Sequence, residues 1–243
     1  MPTELTAAHF IERLQAHQSA EELQKIQRYF KSGEGEYGAG DVFMGVRMGQ
    51  VFALAKEFID MPPDEIERLL DHPIHEVRVG ALSIMDKQAR RKKTSASRRQ
   101  ELFDLYLRRH DRINNWDLVD LAAIYVVGGY LFDKPRDLLY QLARSENMWE
   151  RRTSIYCTLY FIKQGDTADS FKIAEMLLGD SQDLIHKAAG GVLRAAAGVD
   201  RAQLLNFLDQ YAATMPRTML RYATEHLDKD QRDYYMGLKK RSV

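Results

Sequence analysis

An internal repeat places the strongest constraint on what this chain can fold into. Three stretches rich in small residues open at Arg78, Arg152 and Lys187, each after a short polar turn. The interval from 78 to 152 is 74 residues, twice 37, and the interval from 152 to 187 is 35. The missing member falls at 115, where the stretch N-N-W-D-L-V-D-L-A-A begins. A period of this length that contains two helices predicts a stack of helix pairs.

Apolar residues recur at helical spacing through nearly the whole chain, and no segment has a convincing strand pattern. The sequence therefore predicts an all-α fold, an α-solenoid superhelix of HEAT-like helix pairs that forms a single domain over residues 1–243. In such an array the second helices line one concave face, so that equivalent positions form a row along it. The helices predicted from the periodicity cover 3–17, 20–31, 48–60, 63–71, 75–90, 97–109, 115–131, 135–144, 148–164, 168–178, 182–197, 200–212, 216–227 and 229–239.

Composition excludes several classes of protein. The 35 basic and 35 acidic side chains give zero net charge, so any basic surface has to come from local clustering. The single cysteine excludes a disulfide framework and fits a reducing, cytoplasmic compartment. His72 and His75 lack a third ligand nearby, so we expect no metal, and no phosphate-binding or dinucleotide motif indicates a cofactor. We expect no signal peptide, because residues 1–18 carry Glu4 and Glu12 and no apolar core segment, and no membrane span, because the longest apolar run, residues 121–132, is too short.

One long irregular segment interrupts the helices. Residues 33–45 contain five glycines in thirteen positions. Such a loop either serves a function or is floppy. Upstream of it, Ser19 and Glu22 have the spacing of a capping box at a helix start.

Trp116 and Asp120 are the first candidates for chemistry. Four residues apart on a helix, they share one face, whereas Asp117 points elsewhere. Asn114 or Asn115 is the expected N-cap. An indole beside a carboxylate on a concave face suits a cationic ligand. A core tryptophan with a first-turn aspartate that favours the helix dipole explains the same spacing.

Arg152 opens the equivalent helix one repeat later. It either pairs with an acidic group of the neighbouring repeat, such as Asp120, or clamps a phosphate. The adjacent Arg151 is expected to face solvent. The segment 78–112 holds eleven basic and four acidic side chains, an excess that fits either a phosphate footprint or a solvated face.

Five motifs in consistent order resemble those of the AlkD-like DNA alkylation repair glycosylases. W-D-L-V-D at 116–120 and W-E-R-R-T-S-I at 149–155 resemble W-D-x-V-D and W-x-x-R-x-A-I of the family. R-Y-F-K at 28–31, F-M-G-V at 43–46 and I-H-K-A-A-G-G-V-L-R at 185–194 resemble its R-Y-[MF]-K, F-L-G-I and I-Q-K-A-[IV]-G-W-[VA]-L-R elements. The resemblance extends from about residue 25 to 225.

The resemblance implies a monofunctional DNA glycosylase that releases cationic N-alkylated purines, 3-methyladenine and 7-methylguanine, from double-stranded DNA. It implies catalytic roles for Asp120, Trp116 and Arg152, no cofactor and no metal, and we expect a monomer. The residues expected to contact DNA are Tyr29, Arg47, Arg78, Arg90, Arg91, Lys92, Lys93, Lys187 and Arg194.

Two features depart from the family. Gly191 occupies the position of its second stacking tryptophan, and the net charge is neutral where better-known members are basic. A non-catalytic HEAT-repeat protein that binds distorted or branched DNA is therefore the alternative, followed by a protein-binding scaffold.

Overall fold

The computed structural model describes residues 4–31, 33 and 36–238, which divide into two compact units, Met1–Tyr130 and Leu131–Val243. The first unit contains α1 (Ala7–Gln15), α2 (Ala20–Tyr29), α3 (Met48–Glu57), α4 (Pro63–Leu70), α5 (His75–Arg90), α6 (Ala96–Arg108), a 3₁₀ turn (His110–Arg112), α7 (Trp116–Ala122) and a π-helix (Ala123–Gly128). The short α8 (Gly129–Leu131) follows. The second unit contains α9 (Asp137–Leu142), α10 (Met148–Tyr156), α11 (Thr158–Lys163), α12 (Ala168–Met176), α13 (Asp183–Ala197), α14 (Arg201–Tyr211), α15 (Arg217–Ala223) and α16 (Lys229–Gly237).

The all-α prediction is confirmed, because the described residues form no strand beyond an isolated bridge between Val42 and Ile74. Each predicted helix has a counterpart, although its ends differ by a few residues. Two predicted helices are interrupted: 115–131 passes through the π-helix, and 148–164 divides into α10 and α11. Residues 3 and 239, where two predictions began or ended, lie outside the described residues. The solenoid arrangement and the single domain stay predictions.

In the first unit, α5 is the central helix and packs between α3 and α7, with α4 and α6 also against it. Fourteen of its residues are buried, from His75 to Ala89, and polar ones among them, such as Glu76 and Arg78, are hydrogen-bonded to buried partners. Gly80 lies against Phe10, whose Cζ would be 2.4 Å from an added Cβ. Contact between alternate helices, α3 with α5 and α5 with α7, is what a repeat of helix pairs requires.

The glycine-rich loop ends in a fixed conformation. The fully buried Glu76 accepts hydrogen bonds from the backbone N–H groups of Met44, Gly45 and Val46, at 2.9–3.3 Å. Gly45 has φ +82°, and an added Cβ would lie 2.4 Å from the carbonyl oxygen of Ser19, so this position requires glycine. The F-M-G-V stretch is therefore an anchor of the loop to α5.

In the second unit, α13 packs against α10, α12, α14 and α15. The helix lies close to α15 at Gly190, where an added Cβ would lie 2.5 Å from the Met219 carbonyl oxygen and 2.6 Å from Tyr222 Cβ. The missing side chain thus allows the two helix backbones to come together. Among the described residues, no helix is both long and apolar enough to cross a membrane.

Candidate functional site

The start of α7 is held by its N-cap. Asn115 is fully buried, and its side-chain oxygen accepts a hydrogen bond of 2.8 Å from the backbone N–H of Trp116. Its amide nitrogen donates to Asp41 at 2.7 Å. Of the two asparagines that the sequence left open, Asn115 is therefore the cap, and it joins the loop to the first turn of α7.

A buried polar cluster surrounds that turn. His75 Nε2 lies 2.8 Å from Asp117 Oδ2, and its Nδ1 lies 3.8 Å from Asp41 Oδ2. Arg78 donates to Asp41 Oδ1 at 2.7 Å and to Asn114 Oδ1 at 2.6 Å. His75 is completely buried, as are nearly all parts of Asp41 and Arg78. These contacts fix α5, the loop and α7 to one another, and such bonds are strong because the medium around them excludes water.

Arg78 was expected to contact DNA, but its placement argues against that role. The side chain is only 4% exposed, and its Nη atoms bond to Asp41, to Asn114 and to the Arg112 carbonyl oxygen. A phosphate could reach this guanidinium only if those bonds opened. The sequence could not show this, because the partners lie 34 to 37 residues away.

Aromatic rings meet Trp116 from two sides. Phe30 stacks against it at a centroid distance of 5.8 Å and an interplanar angle of 22°. Tyr29 approaches it edge-on at 5.9 Å and remains 65% exposed. Burial raises the pKa of the Tyr37 hydroxyl, and a hydrogen bond with the Trp116 side chain opposes this rise. The indole is therefore held by its neighbours while part of it stays accessible.

A cavity of about 620 Å³ opens beside these rings, entirely within the first unit. Its walls are mostly apolar, with carboxylates at Glu22 and Asp117. Hydrogen bonds from Arg47, then from Lys25, lower the pKa of Glu22. The lining residues are Glu22, Lys25, Ile26, Tyr29, Phe30, Arg47, Met48, Phe52, Val79, Trp116, Asp117 and Leu121.

The expectation that Asp117 points away from Trp116 is wrong in one respect, since both line this cavity. The cavity surrounds the N-terminal end of α7, so neighbouring residues of its first turn can both reach it. Asp120 follows one turn later and is partly exposed. It is not part of this cavity wall. Its predicted convergence with Arg152 stays a prediction.

In the second unit Arg152 is buried. Its guanidinium donates to the Leu184 carbonyl oxygen at 2.6 Å and lies 5.0 Å from the centre of the Tyr156 ring. Arg151 does not face solvent as expected. It forms a forked ion pair with the buried Asp180, at 2.6 and 3.3 Å, and it also donates to the carbonyl oxygens of Ser145 and Glu146 in the turn before α10.

Several basic side chains of the segment 78–112 are bonded to groups outside it. Arg108 and Arg109 form ion pairs with Glu67, and Arg109 also pairs with Asp71. The hydrogen bond from Arg109 lowers the pKa of Asp71. Arg112 donates to the carbonyl oxygens of residues 70, 71 and 72. Most of the basic side chains counted in this segment therefore already form ion pairs or hydrogen bonds within the protein.

The residues at 90–93 differ among themselves. Arg90 pairs with Asp86 at 2.8 Å and lies over the Tyr125 ring of the π-helix, whereas Arg91 pairs with Asp60 at 2.6 Å. Lys92 and Lys93 are exposed. Among residues 90–93, which were all expected to contact DNA, only these two lysines carry a charge that is both exposed and unpaired in the described part of the chain.

The predicted contacts on α13, Lys187 and Arg194, lie on one face of the helix together with Gly191, where the family tryptophan is missing. Lys187 pairs with Asp183, and Arg194 pairs with Glu225. An added Cβ at Gly191 would meet nothing within 4 Å. Beside Arg194 a cavity of about 490 Å³ is lined by Arg194, Arg221, Tyr222, Glu225 and Arg232. The sequence reasoning missed Arg221 and Arg232, which carry no motif.

Sequence reasoning also missed Asp41 and treated His75 only as a metal ligand. Among the described residues, no group of three or more His, Cys, Asp or Glu is arranged to hold a metal ion. The buried partners of His75 are 34 and 42 residues distant, so no local motif could have revealed the cluster.

Comparisons with known proteins give the family and the fold of the chain. A search of curated proteins gave no match. A solved structure described as a predicted DNA alkylation repair enzyme from Enterococcus faecalis is similar in fold, with a TM-score of 0.68 and 17% identity over 88% of this chain and 98% of that one. The family model for the DNA alkylation repair enzyme matches residues 10–227, and the chain therefore belongs to the DNA alkylation repair enzyme family.

Proposed function

We propose that this DNA repair protein is a monofunctional glycosylase that hydrolyses the N-glycosidic bond of 3-methyladenine and 7-methylguanine in duplex DNA. The observation that carries the proposal is the placement of Trp116 and Asp120 one turn apart on α7, whose start is fixed by buried hydrogen bonds. Family membership supplies the DNA repair context. A cytoplasmic location and a monomeric state are part of the same proposal.

The chemistry requires little from the protein. Alkylation at N3 or N7 leaves the purine cationic, so that it departs as a neutral base without a general acid. The sugar then acquires oxocarbenium character and needs negative charge and a water molecule. Asp120 supplies the charge and orients the water, and Trp116 offers its π-face to the developing cation. The resemblance also gives Arg152 the role of positioning a phosphate or keeping Asp120 ionised; its guanidinium is buried and donates to the Leu184 carbonyl oxygen, so this role requires that bond to open.

Rigid placement of Trp116 supports this mechanism. Stabilisation by fixed charges and π-faces is effective only when they need not reorganise during the reaction. Phe30 supports the indole from one side, while the Asn115 cap and the contact between His75 and Asp117 hold the turn that carries it. The exposed Tyr29 ring beside Trp116 adds a surface on which a nucleobase can stack.

Gly191 favours a second candidate function. The family tryptophan at this position would add an aromatic wall, and its absence here leaves open space. A protein that retains the DNA-binding surface but lacks this wall could bind distorted or branched DNA without cleaving a glycosidic bond. Because nothing lies within 4 Å of an added Cβ, Gly191→Trp has room for the first atoms of an indole and tests the point directly.

Base release from alkylated duplex DNA tests the proposal. We expect slow release by the wild type and a rate about 10²–10³-fold lower in Asp120→Asn, the scale for losing one preorganised electrostatic group. Duplex affinity should barely change, since phosphate contacts provide most of it. Asp111→Asn is the matched control, because this aspartate is 62% exposed and lies before α7.

The outcomes separate the candidate functions. A wild-type protein that binds duplex DNA but releases no alkylpurine would favour the non-catalytic function. An Asp120→Asn variant as fast as the wild type would eliminate the mechanism, whatever the family. Higher activity in Gly191→Trp would show that the missing wall limits catalysis rather than abolishing it.

A further inference from the structure

Two arginines in the second unit have no partner among the described residues. Arg221 on α15 and Arg232 on α16 form no ion pair, and neither guanidinium donates a hydrogen bond there. Arg221 only approaches the Tyr222 ring, at 5.7 Å. Most other described arginines are paired with a carboxylate or bonded to a backbone carbonyl. Arg221 and Arg232 line the same cavity of about 490 Å³.

The cavity has an excess of positive charge. Arg194, Arg221 and Arg232 contribute three guanidinium groups from three different helices, and Glu225 provides one carboxylate. Glu225 pairs with Arg194, and the two remaining cations are uncompensated. Tyr222 adds a hydroxyl. Guanidinium groups bind phosphate oxygens through paired N–H donors, and tyrosine hydroxyls contact phosphates as well.

The backbone explains how these side chains come together. Gly190 lets α15 lie directly against α13, since an added Cβ would collide with Met219 and Tyr222. Tyr222 and Arg221 are thereby brought next to Arg194, four residues after Gly190. Lys187 lies on the same face of α13 as Arg194, seven residues earlier, but it is paired with Asp183, so the uncompensated charge is confined to the cavity.

We infer that this cavity binds a phosphodiester group of the DNA backbone, with Arg221 and Arg232 as its principal ligands. The inference rests on the proposed function in that it takes DNA as the partner. It adds α15 and α16 to the predicted DNA contacts, which the sequence placed at Tyr29 and Arg47, at residues 78–112 and on α13. A phosphodiester is the favoured anion because its negative charge and its several oxygen acceptors suit the paired N–H donors of guanidinium groups.

Salt-dependent binding of an unmodified duplex tests the inference. Each lost phosphate contact should reduce the slope of log affinity against log salt by about 0.9, which is about an eightfold loss at 0.1 M salt. We expect Arg221→Gln and Arg232→Gln each to show this change. Arg217→Gln is the matched control on α15, because its guanidinium bonds to the carbonyl oxygens of Met236 and Leu238 and lies outside the cavity.

The control should keep the wild-type slope, with circular dichroism confirming that all variants fold. Wild-type slopes in Arg221→Gln and Arg232→Gln would overturn the inference, and so would an equal loss in Arg217→Gln. Micromolar binding of inorganic phosphate that the variants lose, with duplex affinity unchanged, would reassign the cavity to a free phosphate. Because the duplex is unmodified, absence of base release has no bearing here, whereas failure of the wild type to bind any duplex would contradict the proposed function itself.

Discussion

Two adjacent glycines in α13 provide a paired test of how this helix packs. An alanine at 190 would place its Cβ 2.5 Å from the Met219 carbonyl oxygen and 2.6 Å from Tyr222 Cβ. An alanine at 191 would meet nothing within 4 Å. Both positions lie in the interior of the same helix, so the conformational effect of replacing glycine is similar at the two sites.

The magnitudes follow from these surroundings. Gly→Ala in a helix interior stabilises by about 0.8–1 kcal/mol, and nothing opposes this gain at Gly191. At Gly190 the same gain is set against overpacking, which costs about 1–3 kcal/mol. Since the obstructing atom belongs to the backbone of α15 and cannot rotate away, we expect a cost in the upper part of that range. The difference between the variants isolates the overpacking cost, because the conformational gain cancels.

Urea unfolding followed by circular dichroism measures the two free energies of unfolding. We expect Gly191→Ala to be more stable than the wild type and Gly190→Ala to be less stable. Gly190→Ala should also lower duplex affinity relative to Gly191→Ala, because moving α15 away from α13 separates Arg221 from Arg194. Equal stability of the two variants would refute the assignment of Gly190 as the contact between these helices.

Three further changes test other parts of the structure. Charge reversal at Lys92 and Lys93 should weaken duplex binding and lower its salt slope by up to about 2, as fluorescence anisotropy can show, and unchanged binding would mean that they only solvate the surface. His75→Phe should lower the free energy of unfolding by about 1–3 kcal/mol in denaturant titrations, because Asp117 loses a buried donor; a neutral effect would contradict the role of the polar cluster. Burial raises the pKa of the Cys157 thiol, so a thiol reagent at pH 8 should modify it slowly in the native protein and rapidly in urea; fast native labelling would show that the α10–α11 junction opens.

The helices could be predicted because their signal is local. Apolar residues three and four positions apart define a buried stripe without reference to any distant residue, and all the predicted helices have counterparts. The π-helix after α7 was not predictable in this way. Its sequence, A-I-Y-V-V-G, has the same apolar character as an ordinary helix, and its altered hydrogen bonding depends on packing against α5 and α6.

The buried cluster shows where sequence reasoning ends. The geometry of an ideal helix predicted that Asp117 points away from Trp116. In the structure the position of its carboxylate depends on a contact with His75, 42 residues away. Asp41 lies in a glycine-rich loop, and only the structure shows that it receives hydrogen bonds from Arg78 and Asn115. Residue spacing gives the candidates on α7 but not the residues that hold α7 in place.

A local excess of basic residues in the sequence does not show which of these side chains are free to bind a phosphate. In a stack of helices, a basic side chain on one helix faces carboxylates and carbonyl oxygens of the helix before it, as Arg109 does with Asp71 and Glu67. A basic run can therefore be internally satisfied, while isolated arginines such as Arg221 and Arg232 stay without a partner among the described residues. The net charge of zero expresses the same balance over the whole chain. A phosphate gains most from a guanidinium that gives up no existing ion pair, and this favours the cavity between α13, α15 and α16 over residues 78–112 as the stronger backbone contact.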